Sequence, residues 1–204
     1  MGHCWFNLYR KSEFCFAEVV VNMAKKLTEK ALIKKLDTMS REELSKILLN
    51  LFKTNKSVEE RLNLMFLGEE YGKTLLEKYK KKMYGIFNPY DIVKEGFSLE
   101  RAQMVLSDFA DICSDDRWYG DLALYFAECA TDFVMGYGDM DEEFYDALGD
   151  AYHDAVVIAC GDEELYKLWK NRLEYILHEF SGFGWGMDDF ITEEYYSLPW
   201  VEED

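Results

Sequence analysis

Apolar residues recur along most of this chain at helical spacing. Leu44, Ile47, Leu48, Leu51 and Phe52 form one stripe at three- and four-residue intervals, and Ala31, Leu32 and Leu36 form a shorter one before it. Leu99, Ala102, Val105, Leu106, Phe109 and Ile112 repeat the pattern further on. Start signals stand where the stripes begin. Ser40-Arg41-Glu42-Glu43 and Ser57-Val58-Glu59-Glu60 both fit a capping box, in which the Ser oxygen accepts from an amide in the first turn and the Glu reaches back to the Ser amide. The pattern therefore predicts a helix over about 28–37, helices opening at Ser40, Ser57 and Ser98, and further helices over 115–135, 141–160 and 162–180. The last three carry acid in their first turns, where it complements the helix dipole. Asn88-Pro89 closes the segment before Ser98, because proline keeps its predecessor out of α geometry. With two prolines in 204 residues and few β-branched runs, the class predicted is all-α.

A weak repeat runs through the second half. At an offset of 47 residues, Ile112-Cys113-Ser114-Asp115-Asp116 lies over Ala159-Cys160-Gly161-Asp162-Glu163. The apolar positions then stay in step, with Leu122 over Trp169, Phe126 over Leu173, Cys129 over Ile176 and Phe133 over Phe180. Such a period suits helical hairpins stacked on one another, so the architecture expected is an irregular multi-helix bundle or a short HEAT-like stack.

Residues 1–22 stand outside this pattern, with aromatics and cysteines but no helical period; Met23 then begins MAKKLTEKALIKK. The segment reads either as upstream sequence taken into an over-long gene model or as an N-terminal arm or edge strand. Glu13 interrupts its only signal-like stretch, and Phe6 stands where a myristoylation signal needs Ser or Thr. A single helical domain is expected over 23–204.

Charge divides that domain. Residues 23–82 carry fifteen Lys/Arg against nine Asp/Glu, and residues 83–204 carry six against twenty-nine, so a basic half precedes a strongly acidic one and the formal −17 belongs to the second. That field disfavours direct contact of the acidic half with nucleic acid or an anionic membrane, and favours a basic protein partner. No apolar run approaches the length of a membrane span. The five cysteines are widely spaced without a C-x-x-C pair, which predicts neither a disulfide framework nor a zinc knuckle, and a reducing cytoplasm fits them.

Three features offer candidate chemistry. Asp146, Asp150 and Asp154 recur every four residues beside His153, and carboxylates with an imidazole are the ligand types of a divalent-metal site. Phe144, Tyr145, Leu148, Tyr152, Ala155, Val156 and Ala159 occupy the other side of the same helix, however, so the row reads first as a solvated face. Cys113, Cys129 and Cys160 fall on apolar faces and read as buried thiols. The third feature is Ser181-Gly182-Phe183-Gly184-Trp185-Gly186-Met187-Asp188-Asp189-Phe190. Its glycines follow a helix and lack the Lys-Ser/Thr of a phosphate loop, so no nucleotide is expected there. They predict a tight return that folds Phe183 and Trp185 back onto the helices, in preference to a surface anchor formed by these aromatics with Asp188 and Asp189.

The string LTEKALIKKLDTMSREELSKILLNLFKTNKSVEERL at 27–62, EKYKKKMYGIF at 77–87, the stretch LSDFADICSDDRWYGDLALYFAECATDFVMGYGDMDEEFYDAL and the closing SGFGWGMDD resemble an uncharacterised bacterial all-helical family catalogued as a domain of unknown function. The resemblance covers about residues 23–190. It implies a bacterial or mobile-element origin and carries over no site residue. Since no catalytic constellation or cofactor motif emerges, the function expected is non-enzymatic binding of another macromolecule. The partner-binding candidates are Phe183, Trp185, Asp188, Asp189, Asp146, Asp150 and Asp154. An acidic decoy of a nucleic-acid-binding protein is the alternative. A metal-dependent enzyme using Asp108, Asp111, Asp121 or the Asp146 row is a further one.

Overall fold

The computed structural model describes residues 26–90 and 96–201, and the readings made for residues 1–22 lie outside them. Nine helices and no strand occur among the described residues: α1 (Glu29–Leu36), α2 (Arg41–Thr54), α3 (Lys56–Leu67), α4 (Glu69–Phe87), α5 (Leu99–Ile112), α6 (Asp116–Tyr137), α7 (Glu142–Cys160), α8 (Glu163–Glu179) and α9 (Met187–Tyr196). The arrangement is all-α, and no described helix is long and apolar enough to cross a membrane. The described residues divide into two compact units, one ending at Ser45 and one beginning at Lys46, with the division falling inside α2.

Local chemistry accounts for most of the helix starts. Thr28 caps α1 by accepting from the Ala31 amide at 3.3 Å. Ser40 and Glu43 form the expected capping box, the Glu43 carboxylate accepting from the Ser40 amide at 2.8 Å and Ser40 Oγ accepting from the Glu43 amide at 3.3 Å. Ser98, Asp115, Asp141 and Asp162 cap α5 to α8 with their side-chain oxygens. No residue of α1 or α2 is buried, so the stripe from Leu44 to Leu51 stays exposed along α2.

The second expected box is not used. Asn55, two residues earlier, caps α3 by accepting from the Ser57 and Val58 amides at 3.1 and 3.2 Å, and the Ser57 hydroxyl donates to the same oxygen at 2.8 Å. Glu60, the other half of the supposed box, is 2% exposed. Its carboxylate instead pairs with Lys78 of α4 and accepts from the Tyr79 hydroxyl at 3.2 Å. A buried acid is tolerated because this cation and this phenol hold it. Removing Lys78 strands that charge, at less than the cost in a dry interior because Lys78 is itself 43% exposed. Lys78→Met is therefore expected to lower stability by about 2 kcal/mol, and Glu60→Gln in the same chain to restore most of it. Urea melts of the two variants check this, and a loss in the double variant equal to that in Lys78→Met rules it out.

Within the larger unit the helices pack as successive pairs. The α3–α4 pair lies on α5, α4 also packs on α6, α6 packs on α7 and α8, and α9 closes on α7 and α8. The centre is α6, whose Leu122, Leu124, Phe126 and Ala127 are fully buried. The 47-residue register keeps its inward positions, for Leu122, Phe126, Cys129 and Phe133 on α6 are buried and so are Trp169, Leu173, Ile176 and Phe180 in and after α8. An aromatic cluster extends the core, with Phe97 at 4.5 Å from Phe133 and 5.0 Å from Phe87 between ring centroids. Each buried ring of this size contributes about 1.5–3 kcal/mol by leaving water.

Two elements differ from the pattern read in the sequence. Gly68, at φ 68°, separates α3 from α4, a conformation that favours glycine over any residue with a Cβ. The stretch after the glycine-rich turn forms α9, which buries Met187, Ile191 and Tyr195 at four-residue intervals.

Candidate functional site at the glycine-rich aromatic turn

After α8 the chain turns through Gly182 at φ 74° and Gly186 at φ 76° before entering α9. Asp188 ties this return, its carboxylate accepting from the Gly182 amide at 2.8 Å. Phe183 folds back as expected and is half-buried, its ring 5.0 Å from Phe180 and 5.8 Å from Tyr145.

Trp185 does not. It is 68% exposed, and it is the one described non-glycine residue at positive φ, 61°. The expected core position is corrected for a local reason. The turn reverses at Gly182, which delivers Phe183 to the core, and Trp185 is then carried to the outer side by its own left-handed backbone. Its indole N–H donates to Asp139 at 3.1 Å, and its ring lies beside Tyr145 at 6.4 Å between centroids and 22° between planes. Asp139 also accepts from the Tyr145 hydroxyl at 2.7 Å. These donors, Tyr145 first and Trp185 second, hold the Asp139 carboxyl below the usual carboxylate range. Burial, together with the Asp139 contact, pushes the Tyr145 phenol up to about 12. An exposed tryptophan is thus fixed by one hydrogen bond and one ring contact.

Trp185 and Tyr145 border a cleft of about 450 Å³ that Asp146, Asp150 and Phe190 also line. Gly149 makes this shape possible, since a Cβ there would stand 3.1 Å from the Phe190 ring, which passes close over α7. Asp146 and Asp150 are exposed on the solvent side of α7, as their spacing predicts, and among the described residues neither is ion-paired. The third member of the row is engaged elsewhere: Asp154 is half-buried and accepts from the Tyr119 hydroxyl of α6 at 2.7 Å. Asp189 is exposed. Of the seven candidates, the cleft gathers Asp146, Asp150 and Trp185; Phe183 and Asp188 build the turn behind it. Tyr145, Asp139, Gly149 and Phe190 belong to the site but were not among the candidates read from the sequence, where Tyr145 stood only on the inward face of its helix.

His153 is occupied by Glu194 of α9, with Nδ1 2.8 Å from the carboxylate. Among the described residues no group of three or more His, Cys, Asp or Glu stands together as a metal site would require. Asp121 belongs to an ion-pair network, in which Arg172 donates to it at 2.6 Å and to Glu128 at 2.7 Å while Lys80 stands 2.9 Å from it. Cys113 and Cys129 are buried, and burial raises both thiols, that of Cys129 to about 12. Cys160 is half-buried and raised for the same reason.

Comparison of the chain with family models, with curated proteins and with solved structures found no match.

Proposed function

We propose that this protein acts by binding another protein, and that the cleft beside Trp185 receives a basic side chain of that partner. The observation that carries the reading is Trp185, held in place while 68% exposed. A large aromatic costs little further entropy on binding when its position is already fixed, and its face attracts a cation. Asp146 and Asp150 supply unpaired negative charge on the same cleft. A guanidinium or ammonium entering there meets aromatic surface on one side and carboxylates on the other. This local arrangement favours a discrete anchor over an acidic decoy, because the hydrogen bond from Tyr119 draws Asp154 out of the row.

A labelled peptide containing three arginines serves as the probe. Its binding should weaken steeply with salt. Trp185→Ala should cost about 2 kcal/mol of affinity, some thirtyfold in Kd, while moving the melting temperature little, because the ring is mostly outside the core. Asp146→Asn with Asp150→Asn should weaken the peptide in the same direction. Peptide affinity unchanged in both variants overturns the reading, and so does a peptide that fails to bind at low salt.

A further inference from the structure

A second cleft, of about 580 Å³, lies between the turn that joins α3 to α4 and the turn that joins α5 to α6. Its volume is that of a small-molecule site. The apolar part is formed by Leu64, Met65, Ile112 and Trp118. Trp118 can lie against α4 because position 72 is glycine: a Cβ there would stand 3.2 Å from the indole ring.

Two cations and two anions line this cleft, Arg61 and Arg117 with Glu69 and Asp115. Glu69 is answered by Lys73 at 3.2 Å. Asp115 is answered by Arg117, which donates from Nε at 3.0 Å and from Nη2 at 2.7 Å. Those two bonds orient the Arg117 guanidinium and leave its Nη1 edge unused among the described residues. Arg61 makes no ion pair among the described residues, so it is the one charged side chain of the lining left unanswered.

We propose that this cleft binds a small monocarboxylate with an apolar body. The carboxylate would be held at Arg61 and Arg117, and the body laid over Trp118 and Leu64. One negative charge matches the single unanswered cation, guanidinium groups present paired donors to a carboxylate, and the apolar floor gives the body a place out of water. The inference is independent of the cleft beside Trp185, which carries the opposite charge.

The full chain is titrated separately with sodium octanoate, octan-1-ol and sodium acetate, following tryptophan fluorescence and melting temperature. Octanoate should bind saturably and raise the melting temperature, since a ligand of the native state stabilises it. Acetate lacks the body and octanol lacks the charge, and each should bind at least tenfold more weakly. Arg61→Gln should weaken octanoate at least tenfold and leave octanol unchanged. Met65→Glu, at a side chain 74% exposed and therefore harmless to the core, should repel octanoate as strongly. Octanol binding as well as octanoate overturns the proposal. So does octanoate affinity that is unchanged in both variants, or octanoate that shows no saturable binding in the millimolar range.

Discussion

Gly120→Ala should destabilise the protein by about 2–3 kcal/mol, against the helix propensity scale, on which the same change is favourable by about 1 kcal/mol. Gly120 lies inside α6 where that helix meets α7 and α8. A Cβ at this position would stand 2.7 Å from Cη2 of Trp169 and 2.9 Å from Cδ1 of Ile158. The isoleucine methyl can rotate away. The indole cannot, because Trp169 is 1% exposed and is packed as a rigid plane. Its N–H has no hydrogen-bond partner, so shape alone fixes where the ring sits. Gly85→Ala in α4 is the control, since its Cβ would meet nothing within 4 Å, and it should stabilise by about 0.5–1 kcal/mol. Urea melts of the two variants should move in opposite directions. A Gly120→Ala variant as stable as the parent would mean that α6 and α8 are less closely seated than the structure has them.

Arg172→Met should cost about 3 kcal/mol. The guanidinium, 24% exposed, joins α8 to α6 by bonds to Asp121 at 2.6 Å and to both oxygens of Glu128 at 2.7 Å. Burial works against its charge, but the Glu128 and Asp121 carboxylates outweigh that and hold its pKa above the ordinary value. When the arginine is removed, Asp121 keeps Lys80 at 2.9 Å, so the uncompensated charge falls on Glu128, which is 20% exposed. Glu128→Gln should accordingly be costly in the parent and nearly free in the Arg172→Met chain. A double-mutant cycle measures the difference, and independent, additive losses would show that the network contributes no coupling.

How far the sequence reveals this fold depends on how local the deciding interactions are. The helix starts at Asp115, Asp141 and Asp162 were legible, though as first-turn acids and not as the caps they are, because an acid and the amides it serves lie two or three residues apart. Buried faces on α5 to α8 were legible because periodicity reports which side of a helix meets a core. Ser57 misled because Asn55 starts the helix two residues earlier and leaves Ser57 inside the first turn, and Glu60 because its partners lie 18 and 19 residues away on another helix. Met187, Ile191 and Tyr195 do carry a helical period, yet the glycines before them dominated the reading. The site was legible only in its parts. Asp146 and Asp150 follow from the helical wheel, whereas the bond that holds the outward Trp185 indole in place comes from Asp139, 46 residues before it. Nothing in a string of residues marks that pair.

The complete absence of buried residues from α1 and α2 has a consequence for how the protein comes apart. Helices of 8 and 14 residues are at or below the length that stands alone in water. With no buried residue, neither helix gains packing energy to offset that marginal length. Local opening of these two basic helices is therefore expected on a low free-energy scale. Proteolysis would begin there, at exposed side chains such as Lys34, Lys35, Lys46 and Lys53.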